Sequence, residues 1–310
     1  MRHPYSRKLD NIDLIDHFLR VVLRYESEES VGLLKKIESG EAELKNYDDS
    51  QPTLSSTAHR DRRYLNSSER WQLRHQIVKE LSKFKREDDD EDIELGKGGA
   101  LPNSKLSNRK EAIIIIGLPA SGKSSIADKI ADEYGAVILD SDFAKRKLPE
   151  FKDSPAGASL VHEESDSLIF SCNEKDKPDG FKTLFEICCS NNNNIVIPKI
   201  GHSQQSINLL AQHLQNYGYE VHLVLVSLDR RKATIRAINR YFNTGRYVPL
   251  SLIFDCYADN PILTYYRLKE LQGKKDSYIK SFGKLSTDVE KGEPPILVYA
   301  DDISPAIIFN

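Results

Sequence analysis

The chain has 310 residues, of which 39% are hydrophobic and 29% charged, a composition typical of a globular protein with about two domains. Its 44 basic and 47 acidic residues leave a formal net charge of -3, so no overall charge favours binding to nucleic acid. No apolar run reaches the ~18 residues that a transmembrane helix needs, so we expect no integral membrane protein.

The sequence carries no signs of export or of a cysteine-based site. Asp10, Asp13 and Asp16 interrupt the apolar residues near the N-terminus, so we expect no secretion signal. The four cysteines form no CxxC pair, which argues against a zinc site and a disulfide scaffold. The predicted location is therefore the cytoplasm, with neither nucleic acid nor membrane among the partners.

The first part of the chain shows helical periodicity and no strand pattern. Apolar residues recur at helical spacing over 12–22, and a second short helix at 31–40 is expected to end at Gly40. Ser67 opens a third helix with an apolar face. We therefore predict a small all-α domain at residues 1–86.

An acidic, glycine-containing stretch follows these helices. Residues 87–94 hold seven acids in eight positions, and the sequence GKGGALPNSKLSN comes next. Like charges repel each other, and glycine and proline oppose compact structure, so residues 87–108 are predicted to form a flexible linker. Its ordinary interpretation is a solvated tether without a specific role.

Strand and helix patterns alternate from residue 109 onward. The run AIIIIGL is apolar and β-branched, as expected for a central strand of a parallel sheet. The alternation predicts a three-layer α/β domain with a parallel sheet over residues 109–310. Its strands are expected at 112–118, 136–142, 194–201, 221–228 and 294–300.

The strongest motif is GLPASGKS, which lies between the first of these strands and a helix. It matches G-x-x-x-x-G-K-[ST], the Walker A phosphate loop, and so predicts a P-loop NTPase fold. Its glycines let successive backbone N–H groups point at phosphate oxygens from a helix N-terminus. Lys123 is expected to reach the β- and γ-phosphates of ATP, and Ser124 to coordinate Mg²⁺. The predicted nucleotide-binding residues are Gly117, Leu118, Pro119, Ala120, Ser121, Gly122, Lys123, Ser124 and Ser125.

Other motifs indicate what happens to the phosphate. The chain lacks the NKxD guanine reader of switch GTPases and a DxxG after a later strand, and its third strand ends in Pro198 rather than an acid. Asp140-Ser141-Asp142 instead follows the second strand, where a carboxylate can accept a proton from a substrate hydroxyl. This pattern favours a small-molecule kinase with Asp142 as its base. Each of these two aspartates has a helix-capping alternative, and Asp140 is otherwise expected to support Mg²⁺ binding.

The segment ILDSDFAKRKLPEF resembles the zeta toxins of epsilon–zeta toxin–antitoxin systems, in which D-x-D-x-F-R and then H-P-x-[FY] follow the second strand. The resemblance covers residues 109–300. It implies an ATP-dependent kinase that phosphorylates the 3'-hydroxyl of the amino sugar in UDP-N-acetylglucosamine and thereby blocks peptidoglycan synthesis. It also implies a catalytic base at Asp142 and a basic substrate contact at Lys145. LVHEESDSL matches the helix whose glutamate contributes to the sugar site, here Glu164, although this residue could instead lie on a solvated surface.

Two further segments carry the resemblance or depart from it. AINRYFNTGRYVP matches the segment whose two arginines clamp the transferring phosphate, which implies that role for Arg240 and Arg246. Many zeta toxins have E-G-T-x-R after the third strand, but residues 198–202 read PKIGH here. Lys199 and His202 are predicted to contact an anionic group of the substrate, or else simply to end the strand. The departure keeps open another acceptor, such as NAD, a different nucleotide sugar or a polynucleotide end, and also a nucleotide-regulated protein-interaction module.

The helices before the kinase resemble, in architecture, an antitoxin fused to its toxin. Zeta toxins are normally restrained by a separate helical antitoxin that bars nucleotide from the site. The resemblance implies inhibition in cis by residues 1–86, no obligatory separate antitoxin, and higher activity after removal of residues 1–95. The expected partners are thus a nucleotide-sugar substrate and the chain's own N-terminal domain. A basic group either faces acids near the active site or forms an ordinary helix surface: Arg60, Arg62, Arg63, Arg70 and Arg74.

Overall fold

The computed structural model describes residues 7, 9–25, 30–46, 51–152, 157–174, 177–275, 277–290 and 292–310. The predicted helical domain also includes residues 1–6, 8, 26–29 and 47–50, which lie outside the described residues. Within the described ranges, no helix is both long and apolar enough to cross a membrane.

Six strands form one sheet in the order β2-β3-β1-β4-β5-β6. All pairs are parallel except β5–β6, which is antiparallel. β5 was not expected from the sequence, because its residues SFGKLS hold few of the apolar and β-branched side chains that indicate a strand. The strands are β1 (Glu111–Ile116), β2 (Val137–Ile138), β3 (Ile195–Lys199), β4 (Glu220–Ser227), β5 (Ser281–Ser286) and β6 (Ile296–Ala300).

Helices cover the sheet and connect its strands, which gives the predicted layered α/β architecture. The central strands β1, β3 and β4 are mostly buried, as their continuous apolar runs predict. The helices of this part are α4 (Lys123–Tyr134), α5 (Ser141–Lys147), α6 (Gly157–Leu160), α7 (His162–Ile169), α8 (Leu184–Ser190), α9 (Gln204–Asn216), α10 (Arg230–Thr244) and α11 (Asn260–Lys269), with a π-helical turn at Leu252–Tyr257.

Three helices precede the sheet: α1 (Ile12–His17), which continues into a π-helical turn at Phe18–Val22, α2 (Ser30–Asn46) and α3 (Ser67–Lys83). The predicted end of the second helix at Gly40 is wrong, because α2 runs on to Asn46. Gly40 lies instead where α2 comes close to α10 and the segment after it, since a Cβ there would be 3.2 Å from the Tyr241 hydroxyl and 3.0 Å from the Tyr247 ring. The glycine therefore allows close packing and does not end the helix.

These helices share their apolar cores with the sheet layer. α3 places Trp71, Leu73, Ile77 and Leu81 in the same buried cluster as the strands. α1 and α2 form a second cluster with side chains of α10 and the segment after it, including Ile238, Tyr241, Tyr247 and Phe254. The N-terminal helices are thus built onto the α/β layer at two separate places.

The prediction of a flexible linker at residues 87–108 is wrong. Ile93 and Ala100 are fully buried, and the Ile138 N–H of β2 donates to the Ala100 carbonyl at 3.0 Å. Gly99 approaches α3 so closely that a Cβ there would lie 2.1 Å from the Phe84 carbonyl oxygen. Apolar anchors and backbone hydrogen bonds overcome the charge repulsion, because several acids of the run meet basic side chains.

Candidate active site

The P-loop turns tightly between β1 and α4 because its glycines can adopt the required backbone. A Cβ at Gly117 would lie 2.5 Å from the Val226 carbonyl oxygen, so only glycine fits. Gly122, with φ 84°, stands immediately before the first residue of α4. Ala120 also has a positive φ, at 59°. The turn therefore presents its backbone at a helix N-terminus, which is an anion-binding arrangement.

The side chains of the loop fit a bound polyphosphate. Lys123 Nζ donates to the carbonyl oxygens of Gly117 and Leu118 at 2.7 and 2.6 Å, contacts that phosphate oxygens can replace. Burial lowers the pKa of Lys123 to about 8, and a bound anion would raise it again. Ser121 Oγ is buried without a hydrogen-bond partner among the described residues. Ser124, at the start of α4, is the residue that would hold Mg²⁺.

A cavity of about 620 Å³ in front of the loop brings most of the predicted site residues together. Ser125 lines a neighbouring cavity, while Gly117, Leu118 and Ser121 lie behind the loop surface. Glu164 lies elsewhere. The predicted residues that line this cavity are Pro119, Ala120, Gly122, Lys123, Ser124, Asp140, Asp142, Lys145, Lys199, His202, Arg240 and Arg246.

The two aspartates after β2 have different environments. Asp140 caps α5 by accepting a hydrogen bond from the Asp142 N–H at 2.9 Å, so its capping alternative is observed. Burial and the neighbouring Asp142 raise the pKa of Asp140 to about 6. Burial alone would also raise the pKa of Asp142, but Lys145, with Nζ 2.9 Å from Oδ1, and Arg246 hold it well below its usual range. Asp142 is therefore an ionised carboxylate facing the P-loop cavity.

Two arginines close the cavity from α10 and the segment after it. Arg246 donates to Asp142 Oδ2 through Nη2, and its Nη1 lies 3.9 Å from Glu91 Oε1. Arg240 Nε is buried without a hydrogen-bond partner in the described part of the chain. Burial and the nearby Arg246 lower the pKa of Arg240. A buried guanidinium N–H without a partner, on an arginine close enough to affect the P-loop lysine, is a ready donor for a phosphate oxygen.

The opposite side of the cavity holds Asp166, which sequence reasoning missed. Ser141 Oγ donates to Asp166 Oδ1 at 2.9 Å, and Lys199 Nζ lies 3.7 Å from the same oxygen. Lys199 Nζ also lies 3.8 Å from the centre of the Phe170 ring. The exposed His202 lies beside Tyr257, with ring centres 5.7 Å apart. Lys199 and His202 thus face the cavity as predicted, but a carboxylate stands beside the lysine.

Glu164 is not a cavity residue, and the prediction that it contacts substrate is wrong for this structure. Its side chain is 0% exposed and accepts hydrogen bonds at 2.7 Å from Arg70 Nε and from Arg74 Nε, both on α3. Burial would raise its pKa, but Arg70 and Arg74 lower it to about 2. Residues two apart on a helix face different sides, so only Asp166 of this pair reaches the cavity. The helical register of α7 is the signal that would have identified Asp166.

The members of the predicted arginine cluster differ in their surroundings: some are buried against acids and others lie on the surface. Arg70 and Arg74 are buried against acids, since Arg70 also pairs with the buried Glu150 at 2.7 Å. Arg62 and Arg63 lie on the exposed surface of a short 3₁₀ turn. The α3 members therefore face acids, but Glu150 and Glu164 do not line the cavity, so the expected contact with acids of the active site is not observed for them.

The acidic run 87–94 reaches the active site itself. The carboxyl of Asp90 lies close to the hydroxyl of Ser124, the predicted Mg²⁺ ligand, and burial raises its pKa although Arg146 and the Ser124 hydroxyl act in the opposite direction. Glu91 accepts two hydrogen bonds from Arg146 of α5, at 2.6 and 2.8 Å. The Glu91–Arg246 contact and the position of Asp90 beside Ser124 thus bring two carboxylates of the run to groups predicted to bind phosphate and Mg²⁺.

Comparison with known proteins assigns the fold and the family. The profile of the zeta toxin family matches residues 99–264, more than half of the chain, and the chain therefore belongs to the zeta toxin family. Among solved structures, a chain of the PezAT chromosomal toxin–antitoxin system of Streptococcus pneumoniae is similar, with 18% identity, 79% of this chain and 86% of that chain covered, and a TM-score of 0.52. This likeness shows a shared P-loop kinase-like fold.

Two other solved structures are more distant. The AvrRxo1-ORF1:-ORF2 complex with ATP has 16% identity, covers 77% of this chain and 66% of that chain, and has a TM-score of 0.44. A gluconokinase from Sinorhizobium meliloti 1021 has 14% identity, covers 59% of this chain and 86% of that chain, and has a TM-score of 0.31. Both scores are too low to support an inference about this chain. No curated protein matches it.

Proposed function

We propose that this zeta toxin family member is an ATP-dependent kinase that phosphorylates the 3'-hydroxyl of the amino sugar in UDP-N-acetylglucosamine and so acts as a toxin of peptidoglycan synthesis. One observation carries the kinase proposal: the P-loop, Asp142 and two arginines line a single cavity. The acceptor is the one that the family resemblance implies.

Each group of the cavity has a role in phosphoryl transfer. Asp142 takes the proton of the acceptor hydroxyl, whose oxygen forms the new P–O bond as the bond from the γ-phosphorus to the leaving ADP oxygen breaks. Lys123, Arg240 and Arg246 stabilise the charge on the transferring group. Ser124, with Asp140 nearby, would hold Mg²⁺, which when bound neutralises charge on the β- and γ-phosphates. As Arg246 turns to the phosphate, Asp142 loses a cation and becomes a stronger base.

The acceptor side has its own chemistry. Asp166 can accept hydrogen bonds from hydroxyl groups, and Lys199 and His202 can donate them, next to the ring of Phe170. Lys145 adds a cation close to the base. This arrangement suits a sugar or ribose with vicinal hydroxyls. Because residues 198–202 depart from the family motif, NAD or another nucleotide sugar is the second candidate acceptor.

Asp142→Asn tests the assignment of the base. The amide has nearly the shape of the carboxylate but cannot take up a proton, so turnover should fall by ~10²–10⁴-fold while ATP binding persists. Asp88→Asn, with the same chemical change in the acidic run, is the matched control and should retain turnover. The measurement is mass spectrometry of products after incubation with ATP, Mg²⁺ and a panel of UDP-N-acetylglucosamine, other nucleotide sugars and NAD. Near-normal turnover by Asp142→Asn, or no UDP-N-acetylglucosamine product from any active preparation, would contradict the corresponding part of the proposal.

We further propose that the chain inhibits itself in cis through the acidic run and needs no obligatory separate antitoxin. The support is the pair of contacts from Asp90 to Ser124 and from Glu91 to Arg246, because these carboxylates compete with Mg²⁺ and phosphate for the same groups. Lys147 of α5 keeps the run in place by donating to the Glu94 and Lys97 carbonyls at 2.8 and 2.9 Å. ATP therefore binds only when the run gives way.

The double variant Asp90→Asn/Glu91→Gln tests this inhibition. Both carboxylates compete with phosphate and Mg²⁺ for the same groups, and a competition of about 1.4 kcal/mol corresponds to a tenfold change, so loss of their charges should lower the KM for ATP by about tenfold and increase growth inhibition in cells. Asp88→Asn/Asp92→Asn removes the same charge from exposed positions of the run and should leave the KM unchanged. Loss of turnover in the first variant would instead assign Asp90 to the metal site and refute inhibition by the run.

A further inference from the structure

A second cavity, of about 1140 Å³, lies on the far side of the P-loop from Asp142. It shares Ala120, Gly122, Arg236 and Arg240 with the first cavity, so the two meet at the phosphate loop. In the proposed kinase, the γ-phosphate must face the base in the first cavity. The nucleoside end of the same donor must then extend into the second cavity, which is large enough for a ligand of this size.

The walls of this second cavity suit a neutral, planar ring. Phe242, Pro295 and the amide of Asn239 supply apolar and polar surface. The carboxylates of Glu290 and Glu293 lie at its edge and disfavour a second anionic group. These walls come from α10 and from the residues between β5 and β6.

The N-terminal helices supply one more wall. Tyr25 and Leu33 line the cavity, and the Tyr25 hydroxyl lies 3.1 Å from Asn239 Oδ1, to which it donates a hydrogen bond. This bond leaves the Asn239 amide N–H₂ as a donor for a ligand. Tyr25 is half-buried, so its ring is accessible from the cavity.

This wall is fixed to α10 by contacts on both sides of Tyr25. The Leu23 carbonyl accepts a hydrogen bond from Arg231 Nε at 2.6 Å, and the Leu23 side chain is fully buried. From α2, Lys36 Nζ donates to the Phe242 carbonyl at 3.3 Å. The Tyr241 hydroxyl donates to the Lys36 carbonyl at 3.1 Å. The position of Tyr25 is therefore set by the same helix that carries Arg240, one of the two arginines proposed to bind phosphate.

We propose that Tyr25, together with Asn239, forms part of the site for the base and ribose of the donor nucleotide, a site that is incomplete without the N-terminal helices. The inference rests on the proposed kinase function and extends it to a residue outside the P-loop domain. Stacking of a base on an aromatic ring is sequence-tolerant and strong enough to contribute measurably to affinity. Inorganic tripolyphosphate has no nucleoside, so its binding affinity should not depend on Tyr25.

The test is isothermal titration calorimetry of the full chain with ATP and, separately, with inorganic tripolyphosphate, both with Mg²⁺ and without an acceptor. Tyr25→Ala should weaken ATP binding by about tenfold, because loss of base–aromatic stacking typically costs ~1–3 kcal/mol, and should leave tripolyphosphate binding unchanged. Val21→Ala is the matched control, since Val21 is 59% exposed in the same segment and does not line the cavity. A urea denaturation curve for each variant confirms equal folding.

The outcomes separate this inference from the proposed function. Unchanged ATP affinity in Tyr25→Ala, or equal weakening of ATP and tripolyphosphate, would overturn the role of Tyr25 while leaving a nucleotide-binding chain. Failure of both the unmodified chain and the relieved variant Asp90→Asn/Glu91→Gln to bind ATP would overturn the proposed function itself, and the base site with it.

Discussion

The two halves of the N-terminal region contact opposite ends of the active site. Described residues of 9–25 and 30–46 pack on α10, which carries Arg240, and Tyr25 and Leu33 among them line the second cavity. Residues 51–108 pack on α5 and α7, which carry Asp142 and Asp166, and place acidic side chains at the phosphate loop. In our two proposals, one half therefore completes a binding surface, while the other occupies groups that a substrate would use.

This difference changes what an N-terminal regulatory segment means for this chain. The structure contradicts the simple expectation of a removable inhibitor on a tether, because α3 contributes buried side chains to the main core. We assign the proposed inhibition to two carboxylates of residues 87–94, Asp90 and Glu91. The N-terminal helices themselves are not the inhibitor. The helices are then part of the scaffold that holds the base, the arginines and the nucleoside wall.

The largest expected effect separates two truncations. Removal of residues 1–95 takes Trp71, Ile77 and Leu81 out of the core, and each lost large side chain costs about 2–5 kcal/mol against a total stability of about 5–15 kcal/mol. This truncated chain should fail to fold cooperatively and should lack activity. Removal of residues 1–50 leaves the main cluster intact and should give a folded chain with weak ATP binding. Circular dichroism melts of both proteins check the contrast, and a folded, more active 96–310 fragment would contradict it.

A single substitution tests whether the second half of the N-terminal region, residues 51–108, is part of the folded core. Arg70→Ala removes the charge that neutralises two buried carboxylates, Glu150 and Glu164, and breaking a buried pair in this way typically costs about 3–5 kcal/mol. Arg62→Ala, on the exposed surface of the same basic cluster, should stay within about 0.5 kcal/mol of the unmodified chain. Urea denaturation measures both, and equal midpoints would show that the buried pairs do not hold α3 in place.

The local parts of the active site could be predicted from the sequence. The Walker A residues, the apolar strand before them and the helix after them are adjacent in the chain, and their chemistry requires that order. Asp142 was identified for the same reason, because it follows directly after a strand that ends beside the loop. Local sequence therefore predicted that the P-loop and Asp142 would meet in one cavity, as they do, while their roles in phosphate binding and proton transfer stay predictions.

The long-range parts could not be predicted in this way. From the sequence alone, an acidic run is expected to be exposed to solvent. The basic partners of Glu91, Arg146 and Arg246, lie 55 and 155 residues away along the chain. Glu164 and Asp166 are both acids on α7, and only the packing of α3 decides which one is covered. These outcomes depend on which charges meet after folding, and one sequence does not show that.

The pKa of Glu164 predicts how low pH should affect stability through the contacts between α7 and α3, which belongs to the second half of the N-terminal region. Its pKa is about 2 in the folded chain and 4.5 ordinarily, so between these values the unfolded chain binds more protons and stability falls as pH falls. A shift of this size corresponds to about 3 kcal/mol, present in full above pH 4.5 and lost towards pH 2. Glu164→Gln should lower stability at neutral pH and flatten the profile over this window. Glu163→Gln, an exposed neighbour, is the control, and an unchanged slope in Glu164→Gln would contradict the assignment.

The smallest expected effect concerns how closely the first half packs on α10. Gly32 and Gly40 both lie inside α2, but a Cβ at Gly32 would meet nothing within 4 Å, whereas one at Gly40 would lie 3.0 Å from Tyr247 Cγ and 3.2 Å from the Tyr241 hydroxyl. Gly32→Ala should therefore stabilise the chain by about 0.5–1 kcal/mol through helix propensity and lower entropy of the unfolded state.

Gly40→Ala offers the same gain in propensity, but the methyl group must displace two tyrosine rings in a tightly packed contact. We expect the cost of this displacement to cancel the gain in helix propensity. Gly40→Ala should then be at least about 0.5 kcal/mol less stable than Gly32→Ala in urea denaturation. Because Tyr247 follows Arg246 directly, a displaced ring should also move the arginine that contacts Asp142, and the KM for ATP should change only in Gly40→Ala. Equal stability and equal KM in the two variants would show that α2 lies against α10 without fixing it, and that the first half of the N-terminal region contributes cover but no positioning.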